Sequence, residues 1–211
     1  MKYKPRKASE EKRRQILIAA SDLFGKRGTS NATLEEIAEQ VGMTRAGLLH
    51  YVGSKQKLLM EVIKFRDNYE LEEYEDNKMP SDGEEVIRHL LSSMKANEQR
   101  PGIVRTFSVL SGEALVDENP GSDYFSERYE SLRRDIINAL IDIARTYKLT
   151  IDMAQAEQAS ASIVAVMDGL QIQWLHSPDD VALADSAKFA ILAIIAGVFP
   201  ESSRKIFEKL S

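Results

Sequence analysis

Arg45, His50, Tyr51 and Lys55 stand within eleven residues of one another, with small residues, Ala46 and Gly47, beside the arginine. The chemistry open to such a set is recognition of double-stranded DNA. The planar fork of Arg45 matches guanine O6 and N7. Ala46 and Gly47 permit close approach and a methyl contact with thymine. Tyr51 and Lys55 suit phosphates, as do Thr33 and Thr44 through their hydroxyls and the helix N-termini behind them. His50 suits a phosphate or a base. Bond-making chemistry has no comparable set. There is no nucleophile elbow, phosphate loop or paired histidine–carboxylate motif. His50, His89 and His176 are scattered, and Asp168 lies two helical turns from His176, too far for a one-turn chelate. No metal, no cofactor and no enzymatic activity are expected. A helical enzyme with dispersed catalytic residues is the remote alternative.

The elements that hold these side chains are legible in the surrounding sequence. Thr33 with Glu36 three residues on makes a capping box. Leu34, Ile37, Ala38 and Val41 follow at one-face helical spacing. Gly42 breaks that helix where a left-handed residue is needed. Thr44 caps the next helix, Leu48 and Leu49 turn inward, and Gly53-Ser54 ends it while Ser54 caps another. The result is a helix-turn-helix running into a further helix. Its second helix presents Thr44, Arg45, Ala46, Gly47, His50 and Tyr51 outward, as a major groove requires.

This stretch resembles the DNA-binding domain of the tetracycline-repressor (TetR) family. The residues that carry the likeness are Thr33, Ile37-Ala38, Val41-Gly42-Met43, Gly47-Leu48-Leu49, Tyr51-Val52, Ser54-Lys55 and Leu58-Leu59. Leu49 and Val52 depart from the aromatics usual there but remain apolar. The resemblance implies an all-α protein with an N-terminal three-helix DNA-binding domain, residues 1–57. A long helix would join it to a helical ligand-binding and dimerisation domain, residues 58–211. It also implies a homodimeric, ligand-responsive repressor on a pseudo-palindromic operator, its effector an unidentified small molecule. A ligand-independent regulator is the alternative.

Charge supports the DNA reading. The net charge is −5, but residues 1–57 hold twelve Lys/Arg against six Asp/Glu, and residues 58–211 hold sixteen against twenty-seven. One basic segment on an acidic body is the pattern of a nucleic-acid face. The run Lys2–Lys7 could be a backbone-tracking arm, a minor-groove arm or a disordered tail. There is no cysteine, which excludes disulfides and thiolate metal sites. The basic N-terminus is not followed by an apolar signal segment, and no apolar run is long enough to span a bilayer. A soluble cytoplasmic protein with no membrane partner is expected by elimination.

Helical periodicity continues to the end of the chain. The first helix opens at Ser9, carries the stripe Ile16, Leu17, Ala20, Leu23 and Phe24, and ends at Gly28. The helix from Ser54 turns acidic over Glu70–Asp76, and Met79-Pro80-Ser81-Asp82-Gly83 is a break. Helices are expected over 84–96, 101–116, 124–147, 153–176 and 181–199, with an amphipathic tail over 202–210. Asn119-Pro120-Gly121-Ser122 is a turn, and Leu132, Ile136, Ile137, Leu140, Ile141 and Ala144 form the apolar side of the helix after it. The last two main helices are small or apolar on more than one face, which predicts burial on two sides. A second subunit would cover one side, through Ala159, Ile163, Met167, Phe189, Ala193 and Ala196. Phe107, Ser111, Tyr124, Arg128, Met167, Gln171 and Trp174 are the mixed aromatic and polar candidates for lining an effector pocket.

Overall fold

The computed structural model describes residues 5–71, 79–116, 121–200 and 202–210, with side chains for all of these except 5–8, 66–71 and 204. Every regular element among the described residues is an α-helix. They group into two compact units, Met1–Glu70 with Gly102–Phe125, and Leu71–Pro101 with Ser126–Ser211. The ends of the Lys2–Lys7 and Glu70–Asp76 runs, and Asn119-Pro120, lie outside the described residues.

The first unit holds α1 (Pro5–Asn31), α2 (Leu34–Gln40), α3 (Arg45–Val52), α4 (Lys55–Leu71) and α6 (Pro101–Glu113). The apolar stripe of α1 is buried as its spacing predicts: Ile16, Leu17, Ala20, Leu23 and Phe24. The helix starts four residues earlier than Ser9. Gly28 breaks rather than ends it, adopting φ 73°, ψ 167°, and a last turn continues to Asn31. Leu34, Ile37, Ala38, Leu48, Val52, Leu58, Leu59, Val62 and Ile63 join that stripe in the core, with Val104, Phe107 and Leu110 of α6. Leu49, expected to point inward, is only half-buried.

Two contacts fix α6 against α1. The α-carbon of Gly25 faces Thr106 so closely that a Cβ there would lie 2.5 Å from Thr106 Oγ1. Thr106 Oγ1 in turn lies 2.6 Å from the Ser21 carbonyl. At the Gly28 break the Glu113 carboxylate accepts from Thr29 N at 3.0 and 3.1 Å, and from Thr29 Oγ1 at 2.6 Å. A carboxylate therefore caps the last turn of α1, where backbone N–H groups lack helical partners.

The second unit contains α5 (Gly83–Glu98), most of α7 (Ser122–Tyr147), α8 (Met153–His176), α9 (Leu183–Val198) and α10 (Ser203–Leu210). Asp82 and Asp152 cap α5 and α8 through their carboxylates. Gly83 lets the start of α5 lie on the backbone of α7: a Cβ there would come within 2.4 Å of the Ala139 carbonyl oxygen. The buried stripe of α7 is Ile136, Ala139, Leu140, Ile143 and Ala144. Leu132, Ile137 and Ile141 are half-buried at its flanks. Helix α7 ends in a Schellman turn, with Leu149 N donating to Ala144 O at 2.8 Å and Lys148 N to Arg145 O at 3.2 Å.

Helices α8 and α9 pack along each other, and α9 also packs on α5. The residues expected at a subunit interface fall on two sides of this pair of helices. Ala159, Ile163 and Met167 are buried inside the protomer, on the side of α8 that the chain itself covers. Phe189 is 78% exposed, Ala193 is exposed and Ala196 half-buried. Among the apolar surfaces left open is a groove of about 700 Å³ along α8 and α9. Ala165, Val166, Gly169, Leu170, Phe189 and Ala190 form its apolar wall, with Gln173, Asp185 and Ser186 beside them.

Candidate nucleic-acid interface

The turn between α2 and α3 is built by local hydrogen bonds. Thr33 Oγ1 accepts from Glu36 N at 3.2 Å, and Glu36 Oε2 accepts from Thr33 N at 3.1 Å and from Thr33 Oγ1 at 2.8 Å. These bonds, with Arg27 beside the carboxylate, hold the Glu36 carboxyl below its ordinary range. Helix α2 ends in a Schellman turn: Met43 N donates to Ala38 O at 2.8 Å and Gly42 N to Glu39 O at 3.0 Å. Gly42 takes φ 64° there, a conformation cheap only without a Cβ. Lys12 Nζ donates to Val41 O at 2.6 Å and tethers the same corner to α1.

Helix α3 then begins on Thr44, whose Oγ1 accepts from Gly47 N at 3.1 Å. Leu48 and Val52 are buried and fix which face looks out. Thr44, Arg45, Ala46 and His50 are exposed, whereas Gly47, Tyr51 and Lys55 are half-buried. Gly47 is less open than its spacing suggests because a Cβ on it would already sit 3.3 Å from Thr44 Oγ1 and 3.4 Å from Met43 Cε. The rings of His50 and Tyr51 meet edge to face, with centroids 6.3 Å apart. Ser54 Oγ accepts from Lys57 N at 3.1 Å and starts α4.

The basic residues divide into two groups. Arg13 pairs with Glu61 at 2.6 Å, Lys26 with Asp22 at 2.8 Å, and Arg27 with Glu36. Lys12 holds the turn. These cations serve the fold, so the positive balance of the segment overstates what faces a partner. Lys55 and Lys57 carry no ion pair among the described residues. Spacing alone does not single out Lys57. Nor does it single out Glu35, whose Oε1 lies 2.7 Å from Arg45 Nε. Nothing in helical periodicity joins residues ten apart across a turn, and only the tertiary fold brings this pair together. Thr33, expected to meet a phosphate through its hydroxyl, donates that hydroxyl to Glu36 instead.

The residues proposed from sequence for an effector fall into two groups. In the first unit, Phe107 and Tyr124 flank Phe125, with ring centroids 5.3 and 5.6 Å away. Phe107 also borders a void of about 20 Å³ with Ser21, Val62, Ile63, Thr106 and Leu110, no more than one water could fill. Ser111 is half-buried. In the second unit, Met167, Gln171 and Trp174 are buried on α8 and Arg128 is half-buried on α7. Gln171 donates to Met167 O at 3.0 Å and accepts from Asn97 Nδ2 at 3.4 Å. Tyr129 donates to Asp168 at 2.7 Å. Asn97, Tyr129 and Asp168 do not stand out in the sequence as pocket residues, because only packing of α5, α7 and α8 brings them to these partners.

Comparison with known proteins agrees with the geometry. Residues 16–62 match the family model for bacterial regulatory proteins of the tetR family. Residues 84–200 match the model for the C-terminal region of BetI-type transcriptional repressors. The chain is 25% identical over 197 residues to the HTH-type transcriptional regulator AcrR of Shigella flexneri, covering 89% of each protein. Over 61 residues it is 41% identical to the HTH-type transcriptional regulator BetI of Agrobacterium fabrum, 28% of this chain and 30% of that protein. The fold is also that of SmeT in its complex with triclosan, with a TM-score of 0.72 at 18% identity, over 89% of this chain and 91% of that one. No helix among the described residues is long and apolar enough to cross a membrane. With a capped helix-turn-helix near its N-terminus and matched family models over most of its length, the chain belongs to the tetR family and is a DNA-binding transcriptional regulator rather than an enzyme.

Proposed function

We propose that the protein is a cytoplasmic repressor that binds a pseudo-palindromic operator as a homodimer and leaves it when a small organic effector binds. The observation that carries this reading is the outward row Thr44, Arg45, Ala46 and His50 on α3, a helix locked by its cap and by buried Leu48 and Val52. Two copies would enter successive major grooves, one per half-site. Arg45 reads guanine, Ala46 and Gly47 allow the approach, and His50 lies alongside. Thr44, Tyr51, Lys55 and Lys57 take phosphates, with the Thr33 end of α2 contributing its N-terminal charge. The functional division is residues 1–57 for DNA and 58–211 for ligand and dimer.

The dimer reading rests on the open groove of α8 and α9. An apolar face with Phe189 standing out of it is poor surface for water and good surface for a second copy. For the effector, the candidates are Arg128, Met167, Gln171 and Trp174 of the second unit; Phe107, Ser111 and Tyr124 are a separate set within the first unit. Triclosan in SmeT is a precedent for an aromatic, weakly polar molecule. Effector and operator must oppose each other reciprocally, since each acts through its different affinity for the two states of the dimer.

Trp174 is the only tryptophan and is buried, so its emission reports the second unit directly. Triclosan and other small aromatic compounds titrated into the protein–operator complex should change that emission and release DNA over one concentration range. Emission changes with no loss of operator binding would reject the effector role. Failure of the full-length protein to enrich any duplex from a random-sequence pool would reject specific DNA recognition.

A further inference from the structure

Arg45 and Glu35 form an ion pair across the turn between α2 and α3. Both side chains are more than half exposed, 57% and 63%. An exposed pair of this kind adds little to stability. Its effect lies in where it holds the guanidinium. Glu35 Oε1 lies 2.7 Å from Arg45 Nε, an ionic contact rather than an aligned N–H hydrogen bond. The Nη1 and Nη2 hydrogens then remain for a partner approaching end-on, and that pair of donors matches guanine O6 and N7 in the major groove.

Neighbouring groups give Glu35 this task by elimination. The adjacent carboxylate, Glu36, is held by the Thr33 backbone and hydroxyl and by Arg27. Glu35 stands one residue before it in the first turn of α2, so its side chain projects away from the cap and across to the first residue of α3. The two helices are held in fixed register by the Gly42 turn and by Lys12 on Val41 O. A rigid frame thus carries both ends of the pair.

The geometry points to Glu35 as a positioning residue for sequence recognition: it aims Arg45 at guanine while itself adding a repulsive charge near the phosphates. This rests on the reading of Arg45 as the base reader. Glu35 lowers affinity for DNA in general and raises discrimination at one base pair, a way of gaining specificity through an unfavourable interaction with the wrong partners.

The test uses the full-length protein and the duplex it enriches from a random-sequence pool. The quantity measured is the ratio of affinities for that duplex and for one with the half-site guanine replaced. Arg45→Ala should flatten the ratio at that base pair. Glu35→Ala should lower it by about fivefold to tenfold, within the discrimination that one bidentate arginine–guanine pair supplies, while tightening binding to unrelated DNA. Glu35→Gln, which removes the charge that draws the guanidinium in, should lower the ratio as Glu35→Ala does. In an Arg45→Ala background, Glu35→Ala should leave the ratio where Arg45→Ala put it. The proposal is overturned if Glu35→Ala binds every duplex more tightly with the ratio unchanged, because Glu35 then acts only as a repulsive charge near the phosphates. It is also overturned if Glu35→Ala shifts the ratio without Arg45, because Glu35 then reads a base itself. An unchanged ratio in Arg45→Ala alone would instead remove the base-reading assignment of Arg45.

Discussion

Two cations of the same segment should fail in different ways when removed. Arg45→Ala removes a base-edge hydrogen-bond pair and should cost about 1–3 kcal/mol, confined to one base pair per half-site. Lys55→Ala should weaken binding to all sequences alike and lower the slope of log affinity against log salt by about one for each phosphate it had neutralised. A titration series at several salt concentrations reads this, and an unaltered slope would remove Lys55 from the phosphate set. Thr33→Ala should cost about 1 kcal/mol of stability at neutral pH, the usual worth of a cap. Without the hydroxyl's hydrogen bond the Glu36 carboxyl should also rise part of the way toward its ordinary value, visible by NMR titration. Because folding lowers the Glu36 value, its contribution is complete above the ordinary carboxylate range. It is lost as pH falls through the lowered one, so the gap between wild type and Thr33→Ala should narrow in acid to the part carried by Glu36 N donating to Thr33 Oγ1. The Thr33–Glu36 box is legible in the sequence because its partners are three residues apart. The Arg45–Glu35 pair is not, and neither is the Thr29–Glu113 contact, since no local pattern records partners brought together by the fold.

Among the elements, two helix ends solve one problem with different residues. Helices α2 and α7 both finish in Schellman turns whose penultimate position is left-handed. Gly42 fills it in α2 at φ 64°, whereas Lys148 fills it in α7 at φ 55°. A side chain in that region costs about 1 kcal/mol relative to glycine. Lys148→Gly should therefore stabilise the protein by about that amount, less the entropy glycine adds to the unfolded chain. Thermal melting checks this, and a lower melting temperature would mean that the Lys148 side chain has a stabilising role. Helix identity is readable along most of the chain because apolar spacing is local, and the sequence bounds α8 at the same residues as the structure. The end of α1 differs because glycine is a frequent terminator, yet here Gly28 only interrupts a helix whose last turn the Glu113 carboxylate caps. The inward side of α8 passes for its outward side for a related reason: Ala159 and Phe189 are both simply apolar until packing of α8 on α9 decides which of them the chain covers.

For the whole molecule, the proposed dimer rests on the α8–α9 groove. Phe189→Glu sets a charge on its apolar wall, at a site exposed enough to leave the protomer fold intact. The protein should then sediment as a folded monomer and lose most of its operator affinity, because both half-sites are needed for tight binding. A Phe189→Glu variant that still sediments as a dimer would place the interface elsewhere. Charge behaves similarly at this scale. The segment 1–57 is basic as counted, yet several of its cations are held by Glu36, Glu61, Asp22 or a backbone carbonyl. Composition carries the sign of the face and overstates its strength, since a sum of charges cannot show which are already paired.

Phe189 has a further consequence for a cell. In the proposed dimer, with recognition helices on separate chains joined through the Phe189 face, the protein's own abundance becomes a signal. Well below the dimer dissociation constant, dimer concentration follows the square of chain concentration. Halving expression would then cut the operator-competent species to about a quarter, whereas well above that constant dimer concentration would track gene dosage almost linearly. How tightly the Phe189 face closes therefore decides how steeply the controlled promoter responds to changes in the repressor's own synthesis, before any effector is present.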